Sequence, residues 1–153
     1  MAVATVSEDG SPMIRRLAAG AVHAYTASGV VLALLMVHFS YAGETTIVLW
    51  LFGIAMVVDG TDGLLARRFQ VKERLPGFDG ALLDNIVDYI TYVFAPVVLL
   101  ASTGFLPEGF WGLVVAAVPL LASCVQFCRT DAKGSPGEDH HFLGFPSYWN
   151  VVA

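Results

Sequence analysis

A chain of 153 residues holds about one domain, yet 56% of it is hydrophobic and 14% charged, against roughly 45–50% and 25% in soluble domains. The formal net charge is −5 and the mean hydropathy +0.68, which argues against a water-soluble globule and gives no basic excess for a nucleic-acid partner. The apolar residues fall in blocks too long for so small a core to enclose, so the second solvent is a bilayer.

Residues 1–16 read as an N-terminal cytoplasmic and juxtamembrane segment. It is polar and glycine-containing up to Pro12, then sets apolar residues beside Arg15 and Arg16, as a stretch lying on anionic lipid would. A membrane domain is expected from residue 17 to residue 153. The hydrocarbon layer is about 30 Å thick and takes roughly 20 mostly apolar residues per helix. Four stretches meet that requirement: Leu17 to Phe39, Thr46 to Ala66, Ala81 to Ser102 and Gly109 to Phe127. The first is too long, and too interrupted by His23, Tyr25 and Thr26, for a signal-peptide core.

The expected fold is therefore an all-α integral membrane bundle. After Pro146, the run Tyr148-Trp149-Asn150-Val151-Val152-Ala153 reads like the first turns of a fifth helix. The membrane domain is accordingly expected to be incomplete at its C-terminus, with six or more spans in a complete protein.

All eight basic residues fall on one side of this topology: Arg15 and Arg16, then Arg67, Arg68, Lys72 and Arg74, then Arg129 and Lys133. The positive-inside rule places them, and the N-terminus, in the cytoplasm. Cys124 and Cys128 read as small packing residues on one helix face. His23, His38, His140 and His141 show no ligand spacing tied to the acids and read mainly as interfacial.

The second span carries acids within its apolar register. Asp59 and Asp62 are three apart, and Asp84 and Asp88, at the start of the third span, are four apart, so each pair projects from one helix face. An ionised carboxylate inside a membrane costs roughly 2.5–3.5 kcal/mol on insertion scales. Four of them on two helices call for a compensating cation, and hard divalent ions prefer carboxylate oxygens. A solvated patch paired with the neighbouring arginines explains neither the helical spacing nor the small residues Gly60, Gly63, Ala66 and Gly80 around the acids. With Arg67 suited to forked contact with phosphate oxygens, the set describes phosphoryl transfer or pyrophosphate cleavage.

The pattern Asp59-x-x-Asp62-Gly63-x-x-Ala66-Arg67 followed by Gly80-x-x-x-Asp84-x-x-x-Asp88 resembles the signature of the CDP-alcohol phosphotransferases at all eight fixed positions. Twelve residues, 68–79, separate Arg67 from Gly80, a longer gap than in most of that family. This gap, and the segment from His141 to Asn150, resemble the branch of bacterial phosphatidylcholine synthases. The resemblance implies a multi-pass enzyme of the bacterial inner membrane, its site facing the cytoplasm, that condenses CDP-diacylglycerol with choline.

By the same resemblance, Asp59, Asp62 and Asp84 would bind two divalent ions, Mn2+ or Mg2+. Asp88 would touch a metal and act as the catalytic base, while Gly63, Ala66, Arg67 and Gly80, with Thr26 in the first span, would border the nucleotide. Tyr92, Tyr148 and Trp149 are candidates to face the quaternary ammonium of choline, and a homodimer is implied only by the family. Other CDP-diacylglycerol transferases, using serine, inositol or glycerol phosphate, share the motif. A cation transporter, or a fragment that binds lipid without catalysis, would also place acids on adjacent helices, but a transporter does not need Ala66, Arg67 and Gly80 beside them.

Overall fold

The structure, a computed structural model, describes residues 11–128. Four helical runs in it are long and apolar enough to cross a membrane: Pro12–Tyr41, Thr45–Arg68, Gly80–Ser102 and Phe110–Cys128. They are the four expected spans, and no strand occurs among the described residues. Tyr148, Trp149 and the expected fifth helix lie outside the described residues.

Helix α1 (Pro12–Tyr41) begins earlier than hydropathy indicated, because Pro12 fits the first helical turn and the basic Met13–Leu17 segment continues straight into the span. A three-residue turn reverses the chain. Gly43 takes the left-handed conformation there, at φ 77°, and the Glu44 N–H donates to the Phe39 carbonyl at 3.0 Å. Helix α2 (Thr45–Arg68) returns antiparallel and stops where Gln70 adopts φ 47°. The basic loop that follows contains a single helical turn, α3 (Val71–Arg74).

The third span is one continuous rod of three segments: α4 (Gly80–Asp88), a π-helical turn (Tyr89–Phe94) and α5 (Ala95–Ser102). Asp79 caps its start, accepting a hydrogen bond from the Leu82 N–H at 3.0 Å. Hydropathy alone gives an unbroken α-helix here, and the difference has a local cause. Pro96 has no N–H to give the Tyr92 carbonyl, and its ring crowds that carbonyl. The backbone widens instead, and the Ala95 N–H donates to Ile90, five residues back.

Helix α1 packs against α2, α3, α4, α5 and the π-helical turn. Its buried residues are Ala19, Val22, Thr26, Gly29, Ala33, Met36 and Ser40, alternating steps of three and four that keep one narrow seam against the neighbours. Toward the first turn, Met36, Val48, Ala55 and Ala95 form an apolar layer. Toward the basic end, Ala19, Val22 and Val71 form another, flanked by Leu65, Ala66, Phe69 and Leu75. Helix α6 (Phe110–Cys128) is far less covered, with only Gly112 and Ser123 buried. It is tied to the third span where the Tyr89 hydroxyl donates to the Leu120 carbonyl at 3.2 Å.

At Gly29, α1 lies close against the third span: a Cβ there would collide with a Val87 methyl and lie 3.8 Å from Thr91 Cγ2. Gly29→Val is therefore expected to destabilise the bundle by about 1–3 kcal/mol through overpacking, seen as a lower midpoint of thermal unfolding in detergent. Gly53→Ala, with nothing within 4 Å of the added Cβ, should leave that midpoint unchanged or raise it slightly.

Candidate active site

The acids sit between the two apolar layers. One face of α2 supplies Asp59 and Asp62, and one face of the third span supplies Asp84 and Asp88, as their spacings require. Carboxylate oxygens of Asp59, Asp84 and Asp88 lie within 4.8 Å of one another. Asp62 stands outside that triangle but lines the same pocket, only 7% exposed. The remaining wall comes from Thr26 and Gly29 of α1, Ala55 and Val58 of α2, and Val87, Thr91 and Tyr92 of the third span.

The oxygens fit a divalent cation. Two ligands on one ion lie no more than twice the metal–oxygen distance apart, about 4–5 Å for ions bound at about 2.0–2.6 Å. The spacing in the triangle meets that limit. Without a cation, two charges at this separation repel by about 3 kcal/mol even at an effective dielectric of about 20. The donors are all hard oxygens, and Thr26, Thr91 and Tyr92 bring the other side-chain hydroxyls to the pocket lining. The two threonine hydroxyls donate within their own helices, to Val22 at 3.4 Å and to Val87 at 2.9 Å.

The other expected nucleotide-bordering residues lie on the basic side of the acids. Gly63 leaves open space in which a Cβ would come no nearer than 3.8 Å to Arg67 Nη1, and Arg67 itself is exposed in the last turn of α2. Ala66 packs toward the Ala19, Val22 and Val71 layer. Gly80 opens α4. Tyr92 is 3% exposed and lines the acid pocket, so of the three aromatic candidates it is the one that the described residues bring to the acids.

Three features escaped sequence reading. His23, read as interfacial, is half-buried against the segment after α3: its ring lies 4.2 Å from that of Phe78, and a Cβ on Gly80 would meet its Cε1 at 2.8 Å. Its Nε2 is buried with no hydrogen-bond partner among the described residues, a condition that costs about 1–3 kcal/mol. The signal available was its position three before Thr26, on the same face of α1. Second, the Tyr25 hydroxyl bonds Thr61 Oγ1 at 2.8 Å, clamping α1 to the turn between Asp59 and Asp62. The third is the π-helical turn directly after Asp88, for which Pro96 was the only mark.

With this geometry in hand, comparison with known proteins is decisive. The sequence profile described as CDP-alcohol phosphatidyltransferase matches residues 23–140. The chain belongs to the CDP-alcohol phosphatidyltransferase family. Among curated relatives of this chain are proteins named phosphatidylcholine synthase. The one from Pseudomonas aeruginosa is 45% identical over 92% of this chain and 57% of its own length. That from Legionella pneumophila is 44% identical over 88% and 52%, and that from Borreliella burgdorferi 41% over 90% and 57%. Their name is that of the branch which the long basic loop resembles. The chain spans about half the length of these relatives, and no solved structure matches it.

The carboxylate triangle predicts that a divalent ion stabilises the bundle by binding the folded state. Millimolar Mn2+ should raise the unfolding midpoint of the purified chain. Asp84→Asn should remove most of that increase, whereas substitution of the exposed Glu108 should not.

Proposed function

We propose that this transferase moves the phosphatidyl group of CDP-diacylglycerol to choline, giving phosphatidylcholine and CMP, at the cytoplasmic face of a bacterial inner membrane. The observation that carries the reading is the convergence of Asp59, Asp84 and Asp88 on a pocket that also holds Asp62 and Tyr92. The names of the relatives support choline as the acceptor. The orientation rests on the basic residues, since Arg15, Arg16, Arg67, Arg68, Lys72 and Arg74 share one end of the bundle.

In this reading Asp59, Asp62 and Asp84 hold two ions, Mn2+ or Mg2+, with Asp88 beside them. The ions, when bound, supply positive charge to offset what builds up on the departing CMP. Arg67 meets the phosphate oxygens from the open end of the site, and Gly63, Ala66, Gly80 and Thr26 border the nucleotide. The acyl chains leave sideways between helices into the bilayer.

Choline's hydroxyl is a weak nucleophile until its proton is removed. Asp88 takes that proton, the freed oxygen bonds to the phosphorus carrying diacylglycerol, and the bond from that phosphorus to the bridging oxygen breaks. CMP departs with the electron pair, and no enzyme-bound covalent intermediate is needed. Tyr92 and the surrounding carboxylates offer the π-face and negative charge that a quaternary ammonium, lacking donors, requires. By family likeness the protein works as a homodimer.

The test follows CMP release from CDP-diacylglycerol in membranes containing the chain, with choline, serine, inositol or glycerol phosphate as acceptor. Choline alone should support turnover, and a chelator should abolish it. Release with another alcohol in place of choline would redirect the assignment within the family, and ion flux without CMP release would point to a transporter. Asp88→Asn is expected to lower kcat by about 10²- to 10⁴-fold, the range for loss of a positioned base. CDP-diacylglycerol binding should change little.

A further inference from the structure

The proposed chemistry uses the four acids and the face of Tyr92, yet it leaves the imidazole of His23 unemployed. His23 lies one helical turn from Thr26, which lines the acid pocket, on the side of the bundle where the basic residues gather. Its ring is held by Phe78 on one side and by the bare Cα of Gly80 on another. Any side chain at Gly80 would displace it. The imidazole is thus fixed in place, while its Nε2 is buried without a hydrogen-bond partner among the described residues. Buried polar atoms in native proteins nearly always find partners, so a held ring with an orphaned nitrogen is a contact waiting for a ligand.

The position of the ring narrows which part of the donor that is. The diphosphate belongs with the carboxylates and their cations, and the acyl chains belong in the lipid. What remains lies toward the basic, water-facing end: the sugar and base. A ribose hydroxyl or a cytosine edge both donates and accepts, so either imidazole tautomer can pair with it. A metal-bridged phosphate offers acceptors only and is already neutralised.

We propose that His23 is a specificity-determining residue that hydrogen-bonds the nucleoside half of the CDP-linked donor through Nε2, with Phe78 and Gly80 fixing the ring. This rests on reading the donor as a CDP-lipid. It also gives Gly80 a physical role, since hydrogen in place of a Cβ leaves room for the imidazole.

The test measures binding of two probes, CMP and inorganic pyrophosphate, to the purified full chain with Mn2+ present. His23→Leu should weaken CMP at least fivefold and leave pyrophosphate within about twofold of wild type. His23→Gln, whose amide nitrogen reaches the place of Nε2, should restore CMP binding, while the shorter His23→Asn should not. Unchanged CMP affinity in His23→Leu, or equal loss of both probes, would overturn the assignment, the second result marking a purely structural role. Should His23→Leu fail to fold, the Gln and Asn pair decides: CMP binding that is alike in the two, whether kept or lost, sinks the proposal. A wild-type chain that binds pyrophosphate but not CMP would remove the CDP-lipid reading as well, so the two failures are distinct.

Discussion

The approach of α1 to α4 at Gly29 is the constraint on which the site depends. Asp84 and Asp88 sit on either side of Val87, whose methyl occupies the space that any larger residue at position 29 would need. That contact sets how far the second acid pair stands from α1. The Tyr25 to Thr61 hydrogen bond does the same for the first pair on α2. One helix therefore positions both sources of carboxylate. Val48 and Ala55 of α2 and Ala95 of the third span complete the arrangement by packing with Met36 of α1 in one apolar layer.

The seam of α1 explains why a helix without a single acid can do this. Its buried positions step by three and four, and most are small: Ala19, Thr26, Gly29, Ala33 and Ser40. In a bilayer, lipid tails solvate an apolar side chain as well as a neighbouring helix does, so association comes from close backbone approach and packing. Met36 and Val22 fill the wider gaps of the two apolar layers, and the small residues between them fall level with the acids. The two layers flank the carboxylates, of which Asp62 is buried and Asp59, Asp84 and Asp88 stay partly exposed.

This physics also decides what was legible in the sequence. Length and hydropathy were enough for four spans, because the thickness of the bilayer fixes how many apolar residues each needs. The acid pairs were legible because a carboxylate in such a run is costly and its helical spacing is arithmetic. Which face of α1 is buried was not legible, since hydropathy is nearly uniform around a helix that meets lipid on one side and protein on the other. Only side-chain size distinguishes Gly29 from Val30, and that pattern emerges once the partner helix is known. The packing of His23 was not legible for a related reason. Its neighbours Phe78, before α4, and Gly80, which opens α4, lie more than fifty residues away, and no local periodicity connects them. The π-helical turn was written in Pro96, but a proline in a membrane helix can also produce a simple kink.

On the proposed function, the same arrangement separates two chemical problems. A CDP-lipid donor would have a lipid end that must stay in the bilayer and a nucleotide end that must meet water, with the carboxylates between them. The bundle meets these demands along one axis. Past the acids in one direction, Met36, Val48, Ala55 and Ala95 close the pocket against water. In the other, Gly63 leaves open space beside the exposed Arg67, and His23 fills the place that a side chain at Gly80 would take, toward the basic end. On the proposed function, a CDP-lipid aligned with this axis would have its diphosphate at the level of the four aspartates, where the carboxylates converge. The position of the reacting phosphorus would then be set by where each end of the donor is soluble, and the acids need only stand at that depth.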